Sequence, residues 1–240
     1  MNDLGLSLLW VLAASLLGFG ISAVFSGWLR LPRRVFLIPY IVLTSVFLFW
    51  FFRANEIYLV ALLAKNWIWG VVAGVIVGAF LVNNVRSQPS SRESTGGDLA
   101  LDIAWLGLAY GVIDALFLNT MPVLAVWTGF SQVGWAGSWL GKIGVGILAL
   151  CASLLVTLTY HVGYSEFRNR SVGLVLVGNM LITLAYLLST NPIGAILSHT
   201  VMHIAATIQG PETTIQLPPH RKLAPDKAQL VKHGVPSEQR

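Results

Sequence analysis

The sequence predicts an all-α protein, a polytopic bundle of about seven membrane-spanning helices. Three observations predict this fold class: 55% of the 240 residues are apolar, only 10% are charged, and long stretches carry no charge. Soluble domains contain about 25% charged residues, so a soluble enzyme and a nucleic-acid-binding protein with a basic face are excluded. We therefore expect the lipid bilayer as a partner and no nucleic acid. A single cysteine, Cys151, also excludes a disulfide framework.

Residues 1–83 form a predicted N-terminal membrane part with three spans. A span needs roughly 20 mainly apolar residues, and the candidate segments are residues 4–25, 35–52 and 67–82. The first segment has its positive charges after the apolar run rather than before it, unlike a signal peptide. We therefore expect a retained helix whose N-terminus lies outside.

The third span carries a face of small residues. Gly70, Gly74 and Gly78 repeat every four residues, so this face exposes backbone to which a neighbouring helix can pack closely. We favour packing within the chain; a dimer interface is the alternative.

The polar stretch 84–98 is predicted to be a cytoplasmic loop, because it contains Pro, Ser, Gly and charged residues without an apolar period. It precedes a predicted four-helix core, residues 99–208. The spans of this core are predicted at residues 99–127, 143–161, 171–190 and 193–208. Residues 128–142 are expected to form a connection or a re-entrant stretch, and an eighth span arises if residues 122–140 insert. Residues 209–240 are predicted to be a flexible, basic, cytoplasmic tail.

The distribution of Lys and Arg favours seven spans. With the N-terminus outside, twelve basic residues fall on the inner side and three on the outer side, as the positive-inside rule requires. The inner ones are Arg30, Arg33, Arg34, Arg86, Arg92, Arg168, Arg170, Arg221, Lys222, Lys227, Lys232 and Arg240. The outer ones are Arg53, Lys65 and Lys142. The compact loops favour a plasma (inner) membrane, with the C-terminal tail in the cytoplasm.

Apart from Asp102 at the start of the fourth span, four acidic or histidine residues lie inside predicted spans, where a charged side chain costs about 2.5–3.5 kcal/mol on insertion scales. They are Asp114, His161, His199 and His203, with Asn179 as a weaker fifth. Counting 1.5 Å per residue from the span ends places Asp114 and His203 at the same depth, with the other two histidines a turn or two away. We therefore expect all four to meet in one polar cavity. The alternative is a structural ion pair between Asp114 and one histidine.

His199 and His203 are four residues apart, so on a helix they share one face. This spacing allows two imidazoles to bind one metal ion, as in helical zinc sites. The same spacing also suits histidines that satisfy backbone carbonyls or each other, so the pair alone leaves both interpretations open.

The C-terminal half resembles the CAAX proteases and bacteriocin-processing enzymes, a family of intramembrane metal-associated proteases with the motifs EExxxR, FxxxH and HxxxN or HxxxD. The matching segments, in the same order, are GVIDALFLNT with Asp114, LVTLTYH with His161, and AILSHTVMH with His199 and His203. The chain departs from the motifs at Ala115, Asn119, Thr157 and His203, which stand where the family has Glu, Arg, Phe and Asn or Asp.

The resemblance implies a hydrolase with Asp114, His161, His199 and His203 as catalytic residues. Asp114 would act as general base on a water that His161 orients. His199 and His203 would stabilise the oxyanion, or together with His161 hold a zinc ion. The implied substrate is a peptide bond of a lipidated or membrane-bound protein.

Two other functions remain open from the sequence. One is a non-catalytic relative that keeps the fold and binds a partner protein, which the missing second Glu and the missing Arg favour. The other is a metal or haem carrier, because histidines on facing helices are common axial ligands.

Overall fold

The computed structural model describes residues 3–91 and 94–220, and within these ranges every regular element is helical. The first half contains α1 (Asp3–Ile21), which continues as a π-helical stretch Ser22–Trp28, then α2 (Arg33–Ala54), the short α3 (Leu59–Ala64) and α4 (Trp67–Arg86). The second half contains α5 (Gly96–Gln132), α6 (Trp139–Val162), α7 (Ser171–Ser189) and α8 (Ile193–Gln209). The predicted all-α bundle is therefore confirmed.

Six of these helices are long and apolar enough to cross a membrane, and α8 is a shorter apolar helix of 17 residues. Large apolar side chains such as Phe49, Ile76 and Leu188 are exposed on the outside of the bundle. Such a surface is stable in lipid and unfavourable in water. The chain is an integral membrane protein of the helical type; the membrane that holds it and the side on which each terminus lies stay predictions.

Helix α5 differs from the predicted fourth span. It runs without a break through 37 residues, about 55 Å at 1.5 Å per residue, and contains two π-helical stretches, Ile103–Ala109 and Ala115–Thr120. Because residues 121–132 continue this helix, residues 122–140 do not form a separate eighth span. The connection to α6 is also shorter than predicted, since α6 begins at Trp139, where the Ser138 hydroxyl accepts a hydrogen bond from the Gly141 amide.

The helices alternate in direction between two ends of the bundle. At one end, which we call the basic end, lie Arg33, Arg86 and Arg168, and Arg34 makes a bidentate ion pair with Asp102 there. At the opposite end the Asn66 amide donates to the Thr190 hydroxyl, 2.7 Å away, which joins the start of α4 to the end of α7.

The glycine face of α4 packs within the chain, as predicted. A Cβ atom added at Gly74 would lie 2.9 Å from Leu197 Cβ, and one added at Gly78 would lie 2.7 Å from Val201 Cγ2. Both contacts are with α8, so the small residues allow α4 and α8 to approach closely. The division at residues 84–98 into an N-terminal part and a core stays a prediction, although α4 ends and α5 begins inside that stretch.

The chain after α8 folds back onto the basic end. The Arg33 guanidinium pairs with Glu212 at 2.9 Å and donates to the Leu217 carbonyl at 2.7 Å, and the Thr214 and Leu217 side chains are buried. We call residues 210–220 the strap. The first eleven residues after α8, predicted to be a flexible tail, are therefore packed against the bundle, while the rest of that tail lies outside the described residues.

Candidate metal centre

Asp114 lies near the middle of α5, between its two π-helical stretches, and is only 3% exposed. The Tyr40 hydroxyl, on α2, donates a hydrogen bond to its Oδ1 atom. A buried carboxylate needs hydrogen bonds or a cation in place of water. Tyr40 satisfies one oxygen and leaves Oδ2 directed to the histidines.

His199 and His203 lie one turn apart on the buried face of α8, with ring centroids 4.9 Å apart. Their Nε2 atoms are 3.8 Å and 3.6 Å from Asp114 Oδ2, and the three ligand atoms lie within 4.8 Å of one another. The two histidines therefore share one face of α8 and lie beside Asp114, as the spacing of the histidines and the shared depth of Asp114 and His203 predicted.

The spacing of these three atoms could accommodate a metal ion. Both Oδ2–Nε2 separations exceed the length of an ordinary hydrogen bond. For a tetrahedral zinc ion with bonds of about 2.1 Å, neighbouring ligand atoms are about 3.4 Å apart. The observed separations are close to that value, so an ion that draws the ligands slightly inward would fit between them.

Two glycines on α5 make this approach of α8 possible. A Cβ atom at Gly111 would lie 2.7 Å from Thr200 Cα, and one at Gly107 would lie 2.9 Å from Ile204 Cγ1. Backbone therefore contacts backbone directly beside the site. Because Gly111 is three residues before Asp114, it lies one turn away on the same face of the helix.

His161 lines the same cavity from the end of α6 but lies outside the group of three ligand atoms. The group of three that could hold a metal ion comprises Asp114, His199 and His203, and it shares two residues with the predicted metal set of His161, His199 and His203, which stays a prediction. The His161 Nδ1 atom is 2.9 Å from the Thr157 carbonyl oxygen, which can only accept, so Nδ1 donates. In its neutral form His161 then carries its lone pair on Nε2.

The cavity has a volume of about 210 Å³ and is lined by residues of five helices, α4 to α8. Asp114, His161, His199 and His203 all line it, which confirms the predicted convergence. Near the basic end its wall includes Asn84 of α4 and Ile215 and Gln216 of the strap. The lining also includes Phe80 of α4 and Leu174 and Val177 of α7, which are exposed on the lipid-facing surface.

Two buried polar atoms of residues that line the cavity have no hydrogen-bond partner within the described residues. They are His203 Nδ1 and Thr157 Oγ1. His203 Nδ1 lies beside the Leu106 backbone without a well-aligned hydrogen bond to it. Of the three histidines in the cavity, His203 is therefore the one whose Nδ1 atom has no hydrogen-bond partner among the described residues.

Some residues of the site were not identified from the sequence. Tyr40 gives a usable signal, because a tyrosine inside a span must find a partner for its hydroxyl. Asn119 was noted only as a departure from a motif, yet its Oδ1 atom lies 3.1 Å from His199 Nδ1. Gly111 gives no signal of its own, because its role depends on which helix packs against it.

Fold and site together define a class: an integral-membrane helical bundle with a buried Asp–His–His group that can hold a metal ion. No family model, curated protein or solved structure matches the chain.

Proposed function

We propose that this protein is a metal-dependent endopeptidase that cleaves a peptide bond within or beside the membrane, a divergent relative of the CAAX and bacteriocin-processing proteases. The observation that carries the proposal is the convergence of Asp114, His199 and His203, with His161 beside them, in one buried cavity. Placing four ionisable side chains inside a membrane costs free energy, and a catalytic role would explain why the chain has them there.

The donor set fits zinc. Zinc binds two imidazole nitrogens and one carboxylate oxygen in a common catalytic arrangement that keeps one position open. Zinc held by Asp114, His199 and His203 would supply a Lewis acid that lowers the pKa of a bound water and polarises the substrate carbonyl.

The residues around the group of three have distinct roles in this proposal. Tyr40 holds the Asp114 carboxylate by its Oδ1 atom and so orients Oδ2. His161 is left free to act on the substrate side of the cavity, because its Nδ1 atom is held by the Thr157 carbonyl and its Nε2 atom can accept a proton. General bases of this kind contribute about 10²–10⁴-fold to a rate.

The walls of the cavity favour a substrate that arrives from the bilayer. Helices α4 and α7 are joined at the end opposite the basic end by Asn66 and Thr190, and nearer the basic end their lipid-exposed residues Phe80 and Leu174 line the cavity. A lipidated or membrane-bound protein, the substrate that the family resemblance implies, is suited to this position.

A second candidate is a metal-binding membrane protein without hydrolytic activity. Ala115 is buried and cannot replace the second glutamate of the family motif, which favours this alternative. A haem carrier is less well supported, because a cavity of about 210 Å³ lies below the ~300–1,000 Å³ typical of small-molecule pockets.

The test combines zinc content with cleavage. The full chain, purified in detergent, is assayed on a quenched-fluorescent peptide that carries a farnesylated cysteine. We expect His161→Ala to keep one zinc per chain and to lose cleavage, and the double variant His199→Ala, His203→Ala to lose both. A wild-type protein that binds zinc but cleaves nothing would favour the second candidate, and one that binds no zinc would exclude both.

A further inference from the structure

We infer that Asn119 is a positioning residue that holds His199 with its proton on Nδ1, and that a fixed chain of hydrogen bonds from α6 and α7 imposes this orientation. The inference rests on the proposed function for its purpose, since the orientation leaves Nε2 to bind the metal. The orientation of His199 itself does not depend on that function, because it follows only from which atom donates in each hydrogen bond.

The chain of hydrogen bonds begins at two backbone carbonyls. The Ser153 hydroxyl lies 2.7 Å from the Leu118 carbonyl oxygen, and the Thr183 hydroxyl lies 2.9 Å from the Asn179 carbonyl oxygen. A carbonyl oxygen can only accept, so each hydroxyl has an acceptor for its single proton. The oxygen atoms of Ser153 and Thr183 are therefore left to accept from other groups.

The two side-chain amides take the orientations that these hydroxyls require. Asn179 Nδ2 donates to Ser153 Oγ at 3.0 Å, which turns Asn179 Oδ1 towards α5. Asn119 Nδ2 then donates both to Asn179 Oδ1 and to Thr183 Oγ1, each at 2.8 Å. Turning both amides over would reverse the chain, and the Ser153 hydroxyl would then have to give up its bond to the Leu118 carbonyl and donate to the Asn179 amide oxygen instead.

His199 is the last member of this chain. With both amide protons of Asn119 used, its Oδ1 atom is directed at His199 Nδ1, 3.1 Å away, and can only accept. Nδ1 must therefore carry a proton, and the neutral imidazole has its lone pair on Nε2, the atom that lies 3.8 Å from Asp114 Oδ2. Metal-binding histidines are commonly held in this way by a partner of the other ring nitrogen.

The surroundings of the network explain why it stays intact. Asn119, Ser153 and Thr183 are fully buried and Asn179 is 3% exposed. In lipid no water competes for these groups, and a broken bond would leave a buried polar atom unsatisfied. The π-helical stretch Ala115–Thr120 is the part of α5 that presents Asn119, and such stretches are frequent at functional sites.

Solid-state NMR measures the tautomer of His199 directly. The full chain is labelled with ¹⁵N-histidine and measured by solid-state NMR in lipid bilayers without added metal, and His199→Gln identifies the signal of His199. We expect the ¹⁵N shifts of a neutral ring with Nδ1 protonated and Nε2 unprotonated. A proton on Nε2 of the neutral ring in the wild-type protein would overturn the inference.

Two variants and a control test the role of Asn119. Asn119→Leu removes the acceptor and should shift His199 partly or wholly to the Nε2–H form and raise the zinc Kd by about 10–100-fold. Asn119→Asp keeps an acceptor and should keep the Nδ1–H form. Thr200→Val, a change of similar size beside His199 at a hydroxyl with no hydrogen-bond partner among the described residues, should change neither measurement.

The outcomes separate this inference from the proposed function. An unchanged His199 tautomer in Asn119→Leu would overturn the positioning role, whatever the protein binds or cleaves. A wild-type protein with the Nδ1–H form that binds no zinc would overturn the proposed function and support the positioning role of Asn119.

Discussion

At the scale of single residues, the hydrogen-bond partner of each polar atom determines how the site is arranged. Asp114 has one oxygen bonded to Tyr40 and the other facing two imidazoles, and His199 and His161 each have Nδ1 bonded to an acceptor. The atoms left over, Asp114 Oδ2 and the Nε2 atoms, face the same cavity. Such convergence of unsatisfied donor atoms is expected of a metal site.

Tyr40 tests how much this orientation matters. Tyr40→Phe removes the hydrogen bond to Asp114 Oδ1 and leaves the ring, so we expect the zinc Kd to rise by about 10-fold or more. A lost hydrogen bond to a charged group also costs about 1.5–3 kcal/mol of stability. Zinc titration against a chelator and thermal unfolding measure the two effects. The matched control is Tyr58→Phe, at a side chain that is 77% exposed; equal effects of the two changes would contradict the role of Tyr40.

At the scale of elements, glycines decide which helices touch at the site. Gly111 and Gly107 of α5 contact the backbone of α8, and Gly74 and Gly78 of α4 contact the other side of α8. Helix α8 is thereby held between α4 and α5, with both ligand histidines on it. In lipid such close packing of small residues is a main source of helix association.

Gly111→Ala should disturb the site through the backbone. The added Cβ would lie 2.7 Å from Thr200 Cα, which can give way only if α8 moves. Overpacking of this kind costs about 1–3 kcal/mol, and we expect a lower unfolding temperature together with weaker zinc binding. Gly146→Ala is the control, because no atom of the described residues outside its own helix lies within 4 Å of the added Cβ. If the control destabilises the protein as much, close packing at Gly111 is not the cause.

The strap carries a pH-dependent contact outside the membrane-spanning helices. The His220 amide donates to Glu166, and burial, with the Arg33 guanidinium as a further cause, lowers the pKa of the His220 ring, while Glu166 and Glu212 oppose the shift. Because the folded-state pKa lies below the unfolded value of about 6.5, the neutral ring contributes its stability above that value and loses it as the pH falls.

We therefore expect hydrogen exchange of residues 210–220 to become faster as the pH falls from 7.5 to 5, after correction for the intrinsic pH dependence of exchange. His220→Gln removes the titrating group, so the corrected rates should then change little over this range. The same acceleration in His220→Gln would contradict the role of the histidine.

At the scale of the whole molecule, the sequence predicted the bundle and the four residues that meet inside it. The prediction succeeded because charge is so costly in lipid that each remaining charged or ionisable residue is informative. Asp114 and His203 could be placed at one depth by counting residues, with His199 a turn away. The position of His161 outside the group of three ligand atoms could not be predicted by counting residues, because it depends on the rotation of α6 and on the bond to the Thr157 carbonyl.

The strap and the hydrogen bonds of Asn119 also could not be predicted from the sequence. Both depend on contacts between distant parts of the chain, such as Arg33 with Leu217 and Asn119 with Thr183. Local patterns of apolar and polar residues carry no information about such pairs. The length of α5 was underestimated for a different reason: residues 128–132 were expected to belong to the connection before the next span, but they continue the helix to Gln132.

For the whole molecule, the positive-inside rule predicts that the basic end lies on the cytoplasmic side of the membrane. Ser87 and Ser138 are exposed and follow helices that end at opposite ends of the bundle. In a Cys151→Ala background, Ser138→Cys should react with a membrane-impermeant maleimide in intact cells, and Ser87→Cys only after lysis. The reverse pattern of labelling would place the basic end outside and contradict the positive-inside prediction.

The central claim is that Asp114, His199 and His203 bind one metal ion, and X-ray absorption at the zinc edge tests it most directly. The full chain, saturated with zinc and freed of excess, should contain one zinc with imidazole nitrogens and carboxylate oxygen at about 2.0–2.2 Å. The ion should be lost in the double variant His199→Ala, His203→Ala and kept in His220→Ala. Absence of zinc from the wild-type protein, or unchanged zinc ligation in the double variant, would contradict the claim.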